Sequence, residues 1–391
     1  MLEIGSWRCA RDELSNLQFP TSNFQFVFLC ALDKRDKISL MTNRAENSSW
    51  GVIGHTWAVR ALAHSIATDH IAHAYLLTGA HAIGKTTLAR ALARALQCAN
   101  DARPCGACPA CIKIARDRHP DVQIIEGVPV GWKLDEKSPP PPPRANDVER
   151  RILKIDQIRA IQHTVSRAPF EGRWKIIILR RFEEANEEAQ NAFLKTLEEP
   201  PSHTRLILTV RDPNLILPTI ASRCQVLPLR PLAHSEIENA LVEKWNVARE
   251  HAHLIARLSG GRLGWAVRAS ADNALLDTRR AHLDELDEIL REQRAERFTR
   301  ADKLAKRDDV LQTLDQWQGW WRDVLLMQSG DDSRVVNVDR DQILREHASR
   351  FSFDQIEHAL TAVRASARHL NQNVNTRLAL EVLMLNLPGN W

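Results

Sequence analysis

No apolar run in this sequence reaches the roughly 18 residues that a membrane-spanning helix requires. Near the start, the longest candidate is residues 24–32, which Gln25 interrupts and the charged residues 33–37 follow. Glu13 lies upstream, where a secretory signal peptide would carry positive charge. A signal peptide is therefore disfavoured, and we expect a cytoplasmic protein without a membrane partner.

Neither sign of charge dominates the composition. The 53 Lys and Arg residues and the 49 Asp and Glu residues leave a formal net charge of only +4. That mild excess permits acidic or nucleic-acid partners but argues for neither. With 44% hydrophobic and 26% charged residues in 391 positions, the composition is typical of a soluble globular protein with two or three domains.

Strand patterns alternate with helical patterns only in residues 46–230, which predicts an α/β domain with a parallel sheet covered on both faces. The strand signal then disappears. Residues 231–272 and 273–391 read as helical domains, with Gly260-Gly261 breaking the first of them. Residues 1–45 have no period and no motif, which predicts an unstructured extension or a start codon chosen too early.

The spacing of hydrophobic residues predicts the individual helices and strands. Asp156 is the expected N-cap of one helix, and Pro200-Pro201 ends another. Apolar residues from Leu370 to Leu385 predict one helical stripe. The predicted strands are 73–78, 121–125, 175–179, 205–210 and 225–229, and the predicted helices are 57–66, 85–96, 155–165 and 186–197.

Five consecutive prolines, Pro139–Pro143, lie in the polar segment 127–150. Such a run cannot donate backbone hydrogen bonds and stays extended. A solvent-exposed insertion loop is the favoured interpretation, and a ligand for an SH3-like domain is the alternative.

The segment GAHAIGKT, residues 79–86, matches every fixed position of the phosphate-loop pattern and stands between a predicted strand and a predicted helix. Glycines let the backbone turn its N–H groups toward phosphate, and the helix N-terminus favours the same charge. Lys85 is expected to contact the β- and γ-phosphates of ATP, and Thr86 the Mg²⁺ ion. The residues predicted to hold the nucleotide are Val52, Ile53, Gly79, Ile83, Gly84, Lys85, Thr86 and Thr87.

Hydrolysis of ATP needs a carboxylate at the tip of a neighbouring strand. The strand 175–179 is instead followed by Arg180-Arg181. Glu183 and Glu184 come later, in a turn where we expect them to be poorly placed. The sequence therefore predicts nucleotide binding with weak or absent turnover.

Four of the seven cysteines, Cys98, Cys105, Cys108 and Cys111, fall within fourteen residues. Thiolates at this spacing favour a closed tetrahedral zinc site, which would be structural because it leaves no open position for catalysis. An iron–sulfur cluster is the alternative. The other three cysteines read as ordinary thiols.

Three further blocks follow in order: KIDQIR at 154–159, NAFLKTLEEPP at 191–201 and SRC at 222–224. From about residue 50 to the end, the succession resembles the AAA+ subunits of bacterial clamp loaders, the delta-prime and gamma/tau subunits of DNA polymerase III. The resemblance implies an α/β P-loop AAA+ domain with a zinc module inserted at 98–118, then an all-α lid and an all-α collar that mediates assembly.

Three features resemble the delta-prime type rather than the gamma/tau motor type. Arg180-Arg181 replaces the acidic pair of the motor, and Gly264 occupies the place of its second sensor arginine. Residues 320–326 and 373–381 resemble the collar of delta-prime chains, although both also read as ordinary amphipathic helices.

The resemblance implies a stator in a hetero-pentamer with gamma/tau and delta subunits, which opens the sliding clamp and closes it on primer–template DNA. Arg223 would be the arginine finger that this chain offers to the ATP site of its neighbour. Two other functions stay open: an active clamp-loader ATPase that uses Glu183 or Glu184, and a zinc-bearing AAA+ adaptor outside replication.

Overall fold

A computed structural model of the chain describes residues 50–132, 151–371 and 374–389. The predicted N-terminal extension, residues 1–45, lies outside the described residues, as do Cys9 and Cys30 within it. The same holds for residues 133–150, which include the five prolines.

The first part of the chain alternates strands with helices. Its strands are β1 Ala74–Thr78, β2 Val122–Ile125, β3 Val128–Pro129, β4 Arg151–Ile152, β5 Lys175–Leu179, β6 Thr204–Val210 and β7 Gln225–Pro228. Its helices are α1 Thr56–Ala67, α2 Lys85–Gln97, α3 Pro109–Ala115, α4 Ile155–Val165, α5 Glu187–Glu198 and α6 Pro218–Ala221.

Five of these strands form a parallel sheet in the order β2-β5-β6-β1-β7. Every residue of β1 and of β5 is buried. Alternate β5 side chains enter different cores: Ile176 packs in the cluster with α1 and α2, whereas Ile177 packs in the cluster with α4 and α5. The predicted sheet, covered on both faces, is confirmed, and its continuous apolar strands follow from that burial.

Two local expectations were wrong. Helix α4 begins at Ile155, so its N-cap is Lys154, and Asp156 lies in the first turn, where a negative charge still favours the helix dipole. The polar segment predicted as a loop from residue 127 begins with β3, which pairs antiparallel with β4. This two-stranded ribbon therefore closes the base of the insertion.

The second part of the chain is helical, as predicted. Helices α7 His234–Trp245, α8 Arg249–Leu258 and α9 Leu263–Ala271 share one apolar cluster. Six further helices share a larger one: α10 Ala274–Arg291, α11 Arg294–Ala305, α12 Val310–Gln328, α13 Asp341–Arg350, α14 Phe353–Asn371 and α15 Thr376–Asn386. Within the ranges described, the helices are all too short or too polar to cross a membrane.

The predicted apolar stripe near the C-terminus is divided between two helices. Leu370 belongs to α14 and is buried, whereas the remaining four residues belong to α15 or precede it. Those four are between 41% and 56% exposed: Val374, Leu378, Val382 and Leu385. The opposite side of α15, with Leu380 and Leu383, packs in the core. Helix α15 thus has an exposed apolar face that the described part of the chain leaves uncovered.

A buried arginine fixes the end of α15 to α11. The side chain of Arg297, 1% exposed, donates hydrogen bonds of 2.8–3.2 Å to the carbonyls of Met384, Leu387 and Pro388. Burial lowers the pKa of Arg297 to about 10, which leaves it charged at neutral pH. These bonds satisfy carbonyls that the last helical turn cannot pair internally.

Replacing Arg297 with Ala is expected to lower the free energy of unfolding of this helical part by about 3 kcal/mol, because buried carbonyls lose a charged donor. This change in the free energy of unfolding is measured by urea denaturation followed by tryptophan fluorescence, because Trp317 and Trp321 lie in the same core. The matched control is Arg280→Ala, whose side chain is 56% exposed and whose ion pair is worth at most about 1 kcal/mol. Equal effects of the two variants would contradict this role.

Candidate nucleotide, zinc and arginine-finger sites

The phosphate-loop segment connects β1 to α2, as the motif predicted. Gly79 and Gly84 have φ angles of 136° and 115°, in the region that favours glycine. A Cβ atom at Gly79 would also lie 2.6 Å from the carbonyl oxygen of Leu229. Both glycines are therefore required by the backbone path. Lys85 and Thr86 open α2, with Ile83 buried behind the loop and Thr87 exposed.

The Lys85 ammonium folds back onto its own loop. Its Nζ donates to the carbonyl oxygens of Gly79, at 2.5 Å, and Ala80, at 2.9 Å. Burial lowers the pKa of Lys85 to about 8; the Glu183 carboxylate opposes this shift and the Arg211 guanidinium adds to it. The lysine is thus held at the loop as a cation near neutral pH.

The residues before α1 and the start of α9 meet at this loop. His55 Nε2 lies 3.0 Å from the carbonyl oxygen of Ile83. Val52 packs in the core of the α/β part, whereas Ile53 packs against the apolar cluster of α7–α9. The structure therefore brings the predicted nucleotide residues 52–53 and 79–87 to one region between these two clusters.

Gly264 makes the closest approach of α9 to the loop. Its amide donates to the carbonyl oxygen of Ala82 at 2.8 Å. A Cβ atom at position 264 would lie only 2.7 Å from that same oxygen. Any side chain here, including the sensor arginine of the motor type, would force the helix away from the loop.

The two arginines after β5 are bound in ion pairs. Arg180 pairs with Glu126 at 2.8 Å, and Arg181 pairs with Glu184 at 2.9 Å. Burial raises the pKa of Glu184 to about 7. Glu126 and Glu184, the glutamates beside these arginines, are therefore held in ion pairs.

Glu183 lies nearer the phosphate loop than the sequence indicated, since its carboxylate acts on the pKa of Lys85. One of its oxygens accepts the amide of Arg211 at 3.2 Å. Arg211 follows β6 directly, and its carbonyl accepts the amide of Gly79 at 3.2 Å. Sequence reasoning missed Arg211, although its place at the end of a strand beside β1 was an available signal.

The four predicted cysteines come together around the start of α3. Their Sγ atoms all lie within 4.8 Å of one another. Each of three backbone amides points at a sulfur: Cys105 N to Cys98 Sγ at 3.4 Å, Cys108 N to Cys105 Sγ at 3.3 Å, and Cys111 N to Cys108 Sγ at 3.5 Å. Amide donors of this kind stabilise thiolates, so the donor set fits a tetrahedral zinc ion with bonds of about 2.3 Å.

The thiols differ in their environments. Backbone amides of Cys108 and Ala107 lower the pKa of Cys105 to about 6, whereas burial raises the pKa of Cys111 to about 12. A bound cation is what would hold all four as thiolates at neutral pH. Cys224, which the sequence left outside the cluster, is an ordinary partly buried thiol, and desolvation raises its pKa to about 12.

Arg223 lies just after α6, at the surface of the α/β part. Its guanidinium donates to Glu198 Oε1 at 2.7 Å and to the carbonyl oxygen of Thr219 at 2.9 Å. The side chains of Arg223 and Glu198 are 36% and 50% exposed. The predicted finger is therefore accessible, and its own chain holds it in a solvent-facing ion pair.

Two matching families cover most of the chain. The family described as "DNA polymerase III, delta subunit" matches residues 54–233. The family described as "DNA polymerase III, delta subunit, C terminal" matches residues 273–388.

The chain is also similar to individual proteins. DNA polymerase III subunit delta' of Bacillus subtilis is 29% identical over 335 residues, which cover 84% of this chain and 94% of that protein. DNA polymerase III subunit tau of Escherichia coli is 34% identical over 221 residues, but these span only 31% of its length. A solved gamma subunit-related protein of Thermotoga maritima is 16% identical with a TM-score of 0.35, covering 83% of this chain and 98% of that one.

Elemental analysis of the purified chain is expected to find about one zinc ion per molecule. Changing any one of Cys98, Cys105, Cys108 or Cys111 to Ser should remove the metal and lower thermal stability, because the binding energy of a structural zinc is also folding energy. Cys224→Ala is the control and should keep its zinc. Iron with visible absorbance, or no metal at all, would contradict the assignment.

Proposed function

Since this chain belongs to the DNA polymerase III delta-subunit family, we propose that it acts as the delta-prime-type stator of a bacterial clamp loader. In this role it joins gamma/tau and delta subunits in a hetero-pentamer. The assembly opens the sliding clamp and places it on primer–template DNA during replication. The proposed chain supports the polymerase holoenzyme without being the polymerase, and it works in the cytoplasm.

The position of Arg223 is the observation that carries this proposal. A guanidinium is permanently charged and can donate two parallel hydrogen bonds to phosphate oxygens. Its present partner, Glu198, is half exposed, and exposed ion pairs contribute only about 0–1 kcal/mol. Arg223 can therefore exchange this carboxylate for the phosphates of a neighbouring subunit at little cost.

The helical parts fit the same role. We assign α7–α9 to the lid, because Gly264 and Ile53 join this cluster to the phosphate loop. We assign α10–α15 to the collar, because α15 keeps an exposed apolar face of the kind that subunit interfaces bury. The partners proposed for that face are the collars of gamma/tau and delta.

For the phosphate loop we propose ATP as the ligand, with Lys85 at the phosphates and Thr86 at an accompanying Mg²⁺ ion. Turnover by this chain is proposed to be weak. Arg180 and Arg181 occupy the positions of the acidic pair, and both are engaged with glutamates. The residues that remain can bind and orient a nucleotide without activating water.

One observation favours a second candidate, an active ATPase. Glu183 lies within electrostatic reach of Lys85, and its second carboxylate oxygen is buried without a hydrogen-bond partner among the described residues. Steady ATP hydrolysis by the isolated chain, abolished by Lys85→Ala, would favour this candidate over the stator.

The Arg223→Ala variant tests the stator proposal. It should fold and join the complex, but DNA-stimulated ATP hydrolysis and clamp loading by the assembled loader should fall by about tenfold or more, since an arginine finger can contribute about 10³–10⁵ in rate. The measurements are coupled ATPase assays and clamp transfer onto primed DNA.

Glu198→Ala is the matched control, because it breaks the same ion pair and leaves the arginine in place. Near-normal loading by this variant would assign the loss to the guanidinium itself. If Arg223→Ala loads clamps at the normal rate, or if both variants fail equally, Arg223 is not a finger.

A further inference from the structure

More cationic residues lie near the phosphate loop than the loop motif itself contains. Lys85 is the cation of the motif. Arg211 lies beside it, because the backbone of Arg211 bonds to Gly79 through its carbonyl and to Glu183 through its amide. The guanidinium of Arg211 acts on the pKa of Lys85, so its charge reaches the loop.

Arg262 adds a third cation from the other side. It is the N-cap residue of α9, two positions before Gly264, which touches the loop. Its side chain is 20% exposed, bonds the carbonyl of Ser259 at 2.8 Å and approaches Asp315 only at 3.4 Å. Arg211 is among the charges that act on the pKa of Arg262. The backbone of Arg211 and the start of α9 at Arg262 therefore both lie close to the loop that carries Lys85.

Two of the three carboxylates that could hold a divalent metal ion there are in ion pairs. Glu126 and Glu184 pair with the two arginines after β5. Glu183 accepts the amide of Arg211 with one oxygen, which leaves its other carboxylate oxygen buried without a hydrogen-bond partner among the described residues. Mg²⁺ normally binds through carboxylates together with the phosphates of the nucleotide, and this site presents guanidinium groups in that place.

We propose that this site binds the nucleotide as a free polyphosphate anion, with Arg211 supplying the positive charge that Mg²⁺ supplies in a motor subunit. Mg²⁺ can accompany the nucleotide, but the affinity does not depend on it. This inference rests on the proposed nucleotide site and deepens it. The ligand class is a nucleoside di- or triphosphate, and Arg211 is the residue that recognises its phosphate charge. Charge neutralisation by arginine keeps the nucleotide bound without preparing it for hydrolysis.

Calorimetric titration of the full, zinc-loaded chain tests the proposal. ATP and ADP are titrated in buffer freed of divalent cations by a chelating resin, and again with excess Mg²⁺. No soluble chelator is used, because it would strip the zinc. The wild-type dissociation constants should agree within about threefold between the two buffers.

Arg211→Ala should weaken metal-free binding by about tenfold or more, as expected for the loss of a charged hydrogen bond, and Mg²⁺ should restore much of that loss. Arg249→Ala removes a positive charge from an exposed site on α8. It should change neither the metal-free dissociation constant nor the one measured with Mg²⁺. Binding that strengthens more than tenfold with Mg²⁺ in the wild type overturns the inference, as does an Arg211→Ala variant with normal metal-free affinity. No binding in either buffer overturns the nucleotide site itself.

Discussion

Burial of the central strands on both faces is the constraint on which the α/β part depends. Most residues of β1, β5 and β6 are accordingly apolar, and because these strands run parallel, their carboxyl ends share one edge of the sheet. The phosphate loop, the paired arginines and Arg211 all follow these strands directly. Segments that are far apart in the sequence therefore meet at this edge. The residues that follow each strand there determine the chemistry of the site.

We propose that this edge of the sheet binds a nucleotide but hydrolyses it weakly. The loop glycines and Lys85 keep the geometry that cradles phosphate. We propose that Arg180 and Arg181 stand where a motor subunit has its acidic pair, and α9 lies too close to the loop for a side chain at position 264. Nucleotide binding with slow hydrolysis would suit the proposed stator, whose proposed contribution to catalysis is the arginine that it offers to another subunit.

Features encoded locally were predictable from the sequence. Strand β5 and helix α4 have their predicted bounds, because a short apolar run and a clear 3.6-residue period each specify one structure. The cysteine cluster was equally accessible, since three of its ligands lie within one turn and a half around the start of α3. In each of these patterns, the spacing of residues in the sequence is enough to predict the local structure.

Features that depend on packing between distant segments were not predictable. The apolar stripe was assigned to one helix because its period continues from Leu370 to Leu385, but Asn375 caps a new helix by accepting the amide of Leu378 at 3.1 Å. The contacts of Gly264 and Arg211 with the loop likewise arise only once α9 and β6 have packed beside β1.

We propose that this chain joins other subunits through α10–α15, and the mass of the resulting assembly tests that proposal. The chain is mixed with gamma/tau and delta subunits from the same organism and measured by native mass spectrometry. The account predicts a stable hetero-oligomer that contains this chain and that Leu378→Asp, a change at a 56% exposed position on α15, disrupts without unfolding it. A chain that stays monomeric beside those subunits, or whose assembly is indifferent to a charge on that face, would contradict the account.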